Sequence, residues 1–138
     1  MAAPPPLPLL LLALMLLAHQ PHPVTASDLP DPLSAPRRQC SAVTIPPQHG
    51  GLAIFAGGYT HGSGNNAGSS GAAVDMFDKL GRRVSTSQLA VGRGTMGAAT
   101  WRDLAFFGGG QDDKKNNTAV LDIFNVSSVP ARNSHATL

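Results

Sequence analysis

Leu52 to Gly58 reads LAIFAGG, and 52 positions further along the chain Leu104 to Gly110 reads LAFFGGG. Each copy is followed by a second matching stretch, Val74 to Asp78 (VDMFD) in the first and Leu121 to Asn125 (LDIFN) in the second. The offset of this second pair is 47, because the intervening loops differ in length, and surface loops tolerate such changes. The chain is therefore built from a repeat of about 50 residues.

The same order of strand signals surrounds both copies. In the first copy, turn residues separate four stretches of strand composition: Gln39 to Ile45, Leu52 to Ala56, Ala72 to Asp78 and Val84 to Leu89. The second copy has the corresponding stretches Thr95 to Thr100, Leu104 to Phe107, Ala119 to Asn125 and Ala131 to Leu138. The sequence also contains no glutamate and few long helix-favouring side chains after Ala26. We therefore expect an all-β chain.

The N-terminal 26 residues have the pattern of a secretory signal peptide. Leu7 to Ala18 is apolar apart from Pro8, and Val24-Thr25-Ala26 offers small residues for cleavage. The apolar run is shorter than the stretch of about 20 residues that spans a membrane as a helix. We expect a signal peptide over residues 1–26, a secreted mature chain without a membrane span, and an extended, proline-rich linker over residues 27–37.

Charge and cysteine content exclude two classes of protein. The formal net charge is +2, and the Lys114-Lys115 pair lies beside Asp112-Asp113, so the basic stripe that binds a phosphate backbone is absent from the sequence. We do not expect a nucleic-acid partner. Cys40 is the sole cysteine, which excludes an internal disulfide. We expect it to be a buried strand residue, with an intermolecular disulfide as the alternative.

Arginines at the repeat starts, Phe-x-Gly-Gly blocks and the third-strand motifs together carry a family resemblance. The arginines are Arg38 and Arg93, and the glycine pairs are Gly57-Gly58 and Gly109-Gly110. This pattern resembles the kelch repeats of the kelch and galactose-oxidase-like β-propellers, from about Arg37 to Leu138. The resemblance implies two four-stranded antiparallel kelch blades, residues 38–92 and 93–138, that form a partial β-propeller after the signal peptide.

Repeated residues are expected to serve the blades rather than chemistry. Asp75 and Asp122 occupy the same place in the two third strands, and we expect them to bond a backbone group or the repeat arginine, Arg38 or Arg93, whose planar guanidinium suits bidentate contacts. The paired glycines are expected where positive φ or close backbone approach excludes a side chain.

Two blades leave apolar surface uncovered, because a propeller ring closes with about four to eight blades. Ile54, Phe55, Phe106 and Phe107 would then expose apolar area to water. We expect either a fragment of a longer propeller or a chain that completes itself by association with other chains.

The sequence contains no convincing catalytic, cofactor or metal site. Gly92 to Gly97 matches GxGxxG, but a strand hairpin rather than a helix is expected to follow it. His49, His61 and His135 have no partner at metal-ligand spacing. A fragment of a secreted galactose-oxidase-like copper-radical oxidase is the alternative, inactive as this chain, because that family needs paired tyrosines and Tyr59 is the sole tyrosine.

The remaining motifs are N-glycosylation acceptors, at Asn116-Asn117-Thr118 and Asn125-Val126-Ser127. They indicate a glycoprotein if the chain is secreted, with Asn116 favoured because it lies in a loop. The function expected from the sequence is a non-enzymatic interaction module that binds a protein or a glycan through its loops and blade edges.

Overall fold

The computed structural model describes residues 30–60, 69–127 and 132–137. Within them the chain forms a short 3-10 helix, Pro47–His49, and eight strands: β1 Ser41–Thr44, β2 Ala53–Ala56, β3 Ala73–Phe77, β4 Arg83–Gln88, β5 Gly97–Trp101, β6 Leu104–Gly108, β7 Val120–Asn125 and β8 Arg132–Thr137. Sheet 1 has the order β1-β2-β3-β4 and sheet 2 the order β5-β6-β7-β8, with antiparallel neighbours throughout. The all-β prediction is confirmed, and the arrangement is compatible with a partial β-propeller.

Strand alternation gives each sheet two apolar faces, which we call forward and rear. The forward face of sheet 1 consists of the cross-strand pairs Ile54–Met76 and Ala56–Val74, and the rear face contains Phe55–Asp75 and Ala53–Phe77. In sheet 2 the forward face contains Phe106–Ile123 and Gly108–Leu121, and the rear face contains Phe107–Asp122 and Ala105–Phe124. The rear faces of the two sheets therefore carry the same four residue types.

The core lies where the forward face of sheet 1 packs on the rear face of sheet 2. Ile54 and Met76 of sheet 1 belong to one buried cluster with Ala105, Phe107 and Phe124 of sheet 2, and all five are fully inaccessible to solvent. Phe107 and Phe124 also meet edge to face, with ring centroids 6.0 Å apart, a favoured aromatic geometry. The expectation that Phe107 and Ile54 would be exposed is thus wrong, because the two sheets cover each other.

The remaining two faces have no sheet over them in the described ranges, although Phe77 on the rear face of sheet 1 is 7% exposed. Phe106 on the forward face of sheet 2 and Phe55 on the rear face of sheet 1 are only partly buried. Trp101, at the end of β5, is 64% exposed, whereas Ile45, its counterpart in sheet 1, is 2% exposed. The same apolar pattern is therefore core in one sheet and surface in the other.

A segment with a common pattern enters each sheet ahead of its first strand. Leu33 to Arg37 (LSAPR) precedes sheet 1, and Leu89 to Arg93 (LAVGR) precedes sheet 2 at an offset of 56. The N–H of Ser34 donates to Asp75 Oδ2 at 3.0 Å, and the N–H of Ala90 donates to Asp122 Oδ1 at 3.0 Å. Residues 33–37, expected as part of a linker, are therefore packed on sheet 1.

Cys40 differs from its expected position. It lies just before β1 and is only partly buried, as a free thiol. An added Cβ on Gly58 would lie 3.2 Å from Cys40 Cα, and one on Gly110 would lie 3.4 Å from Met96 Cα, so Cys40 is the counterpart of Met96. Met96 is buried because it reaches sheet 1, whereas Cys40 faces the open rear side. The prediction of a buried strand cysteine is wrong for this reason.

Several sequence predictions concern parts of the chain outside the described residues. These are the signal peptide over residues 1–26, His61 within residues 61–68, and residues 128–131 and 138. Where the structure is described, none of its helices is long and apolar enough to span a membrane.

Candidate binding site

The candidate binding site is a polar cavity at the end of the sheets where the β2–β3 and β6–β7 loops meet the segment between β4 and β5. We call it the rim cavity. Its volume is about 220 Å³, small for a drug-like pocket of about 300–1,000 Å³. Both repeats contribute residues to its lining, which consists of Arg38, Gln39, Tyr59, Thr95, Gln111, Asp113 and Lys115.

Left-handed backbone concentrates at the rim cavity. Four non-glycine residues in the described part of the chain have positive φ, and Gln39 (55°), Thr95 (54°) and Lys115 (64°) all line this cavity. Such a conformation is unfavourable for any residue with a Cβ, and more so for β-branched Thr95. The N–H of Thr95 donates to the carbonyl of Gln39 at 3.1 Å, so the two strained positions are joined across the sheets.

Lys115 occupies a turn position that a second copy of the same turn fills with glycine. Asp78 Oδ1 accepts the N–H groups two and four residues later, and Gly81, three residues later, has φ of 76°. Asp112 Oδ1 accepts the corresponding N–H groups, and the third residue is Lys115. Backbone strain that glycine would relieve is therefore retained at a lysine that lines the cavity. Retained strain of this kind often marks a functional position.

Hydrogen bonds hold the Lys115 turn and keep its anchoring carboxylate ionised. The side-chain amide of Asn116 donates to Asp112 Oδ2 at 2.9 Å, and the N–H groups of Asn116 and Lys114 donate to Oδ1. The Asn116 side-chain bond, followed by the backbone bonds, holds the pKa of Asp112 below its usual value. The carboxylate that accepts these bonds is therefore ionised at neutral pH.

Tyr59 bridges the two repeats at the wall of the cavity. Its hydroxyl donates to the carbonyl of Gln111 at 2.9 Å, and its ring lies against Gly94, where an added Cβ would come within 2.8 Å of Tyr59 Cδ2. A Cβ on Gly92 would lie 2.6 Å from the carbonyl oxygen of Ser70. The first two glycines of the GxGxxG match are thus required for packing between the repeats, and β5 follows them.

The cavity carries charges that remain available to a ligand. Arg38, Asp113 and Lys115 are exposed, and no salt bridge involves any of them among the described residues. A guanidinium, an ammonium and a carboxylate thus stand beside the amides of Gln39 and Gln111. This set offers both donors and acceptors to a polar ligand.

The repeat arginine of sheet 1 is Arg37, not Arg38. Arg37 Nη2 lies 2.6 Å from Asp75 Oδ2, with both side chains buried, and it also donates to the carbonyl of Phe55. Arg38 is exposed and lines the rim cavity instead. The β1–β2 turn is longer than the β5–β6 turn, so the arginines are 56 positions apart.

In sheet 2, Arg93 has the expected place and the fuller set of partners. Its Nη2 lies 2.7 Å from Asp122 Oδ2, and both side chains are fully buried. The guanidinium also donates to the carbonyls of Val91, Gly109 and Phe107 at 2.8–3.0 Å. It therefore ties the entry segment of sheet 2 to β6 and β7.

The predicted glycine positions are explained by the contact between the sheets. Gly57 and Gly109 both have left-handed backbone, with φ of 63° and 67°. A Cβ on Gly57 would overlap the carbonyl oxygen of Arg93 and meet Met96 Cε at 2.8 Å, whereas the nearest atom to a Cβ on Gly109 is 3.8 Å away. Gly58 and Gly110 are also left-handed and lie against their own first-strand segments.

Both glycosylation acceptors are exposed. Asn116 lies next to the rim cavity, and the amide nitrogen that would carry the glycan already donates to Asp112. Asn125 closes β7, and its Oδ1 accepts both the N–H and the hydroxyl of Ser127. The structure thus leaves both acceptors accessible, and their use stays a prediction.

Residues with metal-ligand chemistry are not brought together in the described ranges. No group of three or more His, Cys, Asp or Glu side chains lies close enough to hold a metal ion there. His49 ends the 3-10 helix, Cys40 precedes β1 and Tyr59 bonds Gln111. His61, the other residue considered for an oxidase fragment, lies outside the described residues.

No protein-family model matches the chain, and no curated protein matches its sequence. The kelch resemblance therefore stays a prediction from the repeated residues. Sequence reasoning did not identify the rim cavity, whose lining comes from positions that are up to 77 residues apart. One signal in the sequence could have pointed to it. The turns that begin at Asp78 and Asp112 share a pattern, and the third residue after the aspartate is Gly81 in one and Lys115 in the other.

Proposed function

We propose that the chain is a secreted binding module of the kelch β-propeller type and that the rim cavity binds a polar ligand, either a glycan or a polar segment of a protein. The observation that carries the proposal is the convergence of three left-handed non-glycine residues on one polar cavity. Strain of about 1–3 kcal/mol at each such residue persists where the surrounding structure holds it, often at ligand sites.

The chemistry of the lining favours a saccharide over an apolar ligand. Planar polar groups on Arg38, Gln39, Gln111 and Asp113 can donate to and accept from neighbouring sugar hydroxyls. The two cations also suit an acidic sugar. A cavity of about 220 Å³ is a recess for one small unit of a larger ligand, and the loops around it provide the additional surface that propellers commonly use.

A glycan array, followed by calorimetry with the best saccharide, tests this function on the full chain from a secretory host. Lys115→Ala and Arg38→Ala should each weaken binding about tenfold or more, since each removes a charged donor. Lys79→Ala is the matched control, because Lys79 is exposed in the Gly81 turn on sheet 1. Full affinity in both cavity variants, or a wild-type chain that binds no saccharide, would contradict a glycan site.

A further inference from the structure

We infer that two copies of this chain dock head to tail, with the open forward face of sheet 2 on the open rear face of sheet 1 of the next copy. The contact inside the chain supplies the template. There, a forward face meets a rear face that carries alanine, phenylalanine, aspartate and phenylalanine. Ala53, Phe55, Asp75 and Phe77 on the rear face of sheet 1 repeat those four residue types position by position.

The open forward face keeps the apolar character of the face that is already buried. Phe106, Leu121 and Ile123 of sheet 2 correspond to Ile54, Val74 and Met76 of sheet 1. The latter three are fully buried, whereas the former are partly exposed. Burial of these side chains with Trp101 would supply a hydrophobic driving force of the kind that holds the two sheets together.

The rear face of sheet 1 is already prepared to receive a neighbour. Its entry segment places Leu33 and Ser34 as Leu89 and Ala90 are placed on sheet 2. Beside it lies an apolar cavity of about 440 Å³, lined by Leu33, Phe55 and Phe77 among others. Phe107 and Phe124, the counterparts in sheet 2, are fully buried by sheet 1.

Backbone groups at the two open faces also match. Inside the chain, the N–H of Gly58 donates to the carbonyl of Arg93, and the N–H of Thr95 donates to the carbonyl of Gln39. Among the described residues, the corresponding groups, the N–H of Gly110 and the carbonyl of Arg37, form no backbone hydrogen bond. Docking of a second copy would join them.

Such a contact is heterologous, because a forward face meets a rear face rather than itself. Contacts of this type produce closed rings when the rotation closes and open chains when it does not. Propeller rings contain about four to eight blades, so closure with this chain corresponds to two to four copies. The same interface accounts for either outcome.

The sole tryptophan and the sole cysteine can serve as probes of burial, one for each of the two faces. Trp101 is the sole tryptophan and lies on the forward face, and Cys40 is the sole cysteine and lies towards the rear face. When the deglycosylated full chain is sedimented over a series of protein concentrations, the sedimentation coefficient should rise with concentration. Trp101 emission should shift to the blue and reaction of Cys40 with a maleimide should slow over the same range.

Gly109→Ala is the sharpest variant, because the added methyl group has room within the chain but would meet the entry segment of the docked copy, as Gly57 meets Arg93. Association should weaken at least about tenfold, with the circular dichroism spectrum unchanged. Gly50→Ala is the matched control, since Gly50 has positive φ and nothing within 4 Å of an added Cβ. Trp101→Lys, at an exposed position, repeats the test if Gly109→Ala misfolds.

A mixing experiment distinguishes head-to-tail docking from pairing of like faces. Ala53→Arg blocks the rear face of sheet 1, and Gly109→Ala blocks the forward face of sheet 2. At a concentration where the wild-type chain associates and the weakened interface does not, each variant alone should be monomeric, and their mixture should form a one-to-one pair that does not grow. A wild-type chain that stays monomeric at its highest soluble concentration, or Ala53→Arg that still dimerises alone, would overturn the proposal.

Discussion

The two sheets share a residue pattern and differ in what covers them. Ile45 of sheet 1 is 2% exposed and its counterpart Trp101 of sheet 2 is 64% exposed, although each lies opposite an equivalent leucine, Leu52 just before β2 and Leu104 at the start of β6. The difference comes from the neighbouring sheet, which lies over one forward face and not over the other. Burial in this fold is therefore a property of the contact between repeats, not of a repeat by itself.

The buried ion pairs show the same contrast. Arg93 of sheet 2 uses its Nε, Nη1 and Nη2 atoms in hydrogen bonds, whereas Arg37 Nε is buried without a partner in the described structure. Asp75, however, also accepts both the N–H and the hydroxyl of Ser34. The N–H of Ala90 bonds Asp122 in the same way, so the two pairs differ in the Ser34 hydroxyl and in the fuller set of carbonyl bonds that Arg93 makes.

The largest expected effect comes from Arg93→Met. Loss of one partner from a buried ion pair costs about 3–5 kcal/mol, and three carbonyl bonds are lost with it. Arg37→Met should cost less, about 1–3 kcal/mol, because Arg37 bonds one carbonyl, that of Phe55, and both the N–H and the hydroxyl of Ser34 continue to bond Asp75. Urea unfolding followed by circular dichroism measures both. Equal losses of stability would show that the two pairs do not differ as the contacts indicate.

A methyl group at equivalent glycines should give the next largest difference. Gly57→Ala combines unfavourable left-handed backbone with overlap on the Arg93 carbonyl, so we expect a loss of about 2–4 kcal/mol in the free energy of unfolding. Gly109→Ala should cost only about 1 kcal/mol, from the backbone term alone. Urea midpoints at a concentration where the chain is monomeric provide the comparison, and similar losses would contradict it.

These comparisons also show what the sequence could and could not predict. All eight strands were predictable, because each repeat alternates apolar stretches with turn residues. Arg37 was not identified because Arg37-Arg38 is ambiguous and the longer β1–β2 turn shifts the alignment, although LSAPR against LAVGR carries the signal. The exposure of Trp101 could not be predicted from the repeat, since it depends on which neighbour lies over each face.

Relief of strain at Lys115 should have a smaller effect and the opposite sign. Lys115→Gly gives the turn the residue type found at Gly81, so thermal unfolding should occur at a higher temperature. The gain in the free energy of unfolding should be about 1 kcal/mol or less, because glycine loses more conformational entropy on folding than lysine. The same variant removes an ammonium group from the rim cavity and should weaken saccharide binding. A lower unfolding temperature would indicate that Lys115 stabilises the turn, against its proposed role.

The smallest effect concerns the two related turns at low pH. The pKa of each aspartate is held below its ordinary value. The largest cause is a hydrogen bond from the Arg82 side chain for Asp78 and from the Asn116 side chain for Asp112. A lowered pKa in the folded state means that the stabilisation is present at neutral pH and is lost as the pH falls through the lowered pKa. Asp78→Asn should therefore reduce the acid dependence of the unfolding temperature, and Asp112→Asn should do the same. Because both turns lie at the surface, where solvent screens charge, each change should be slight. An unaltered acid dependence in the double variant would show that these turns do not contribute to it.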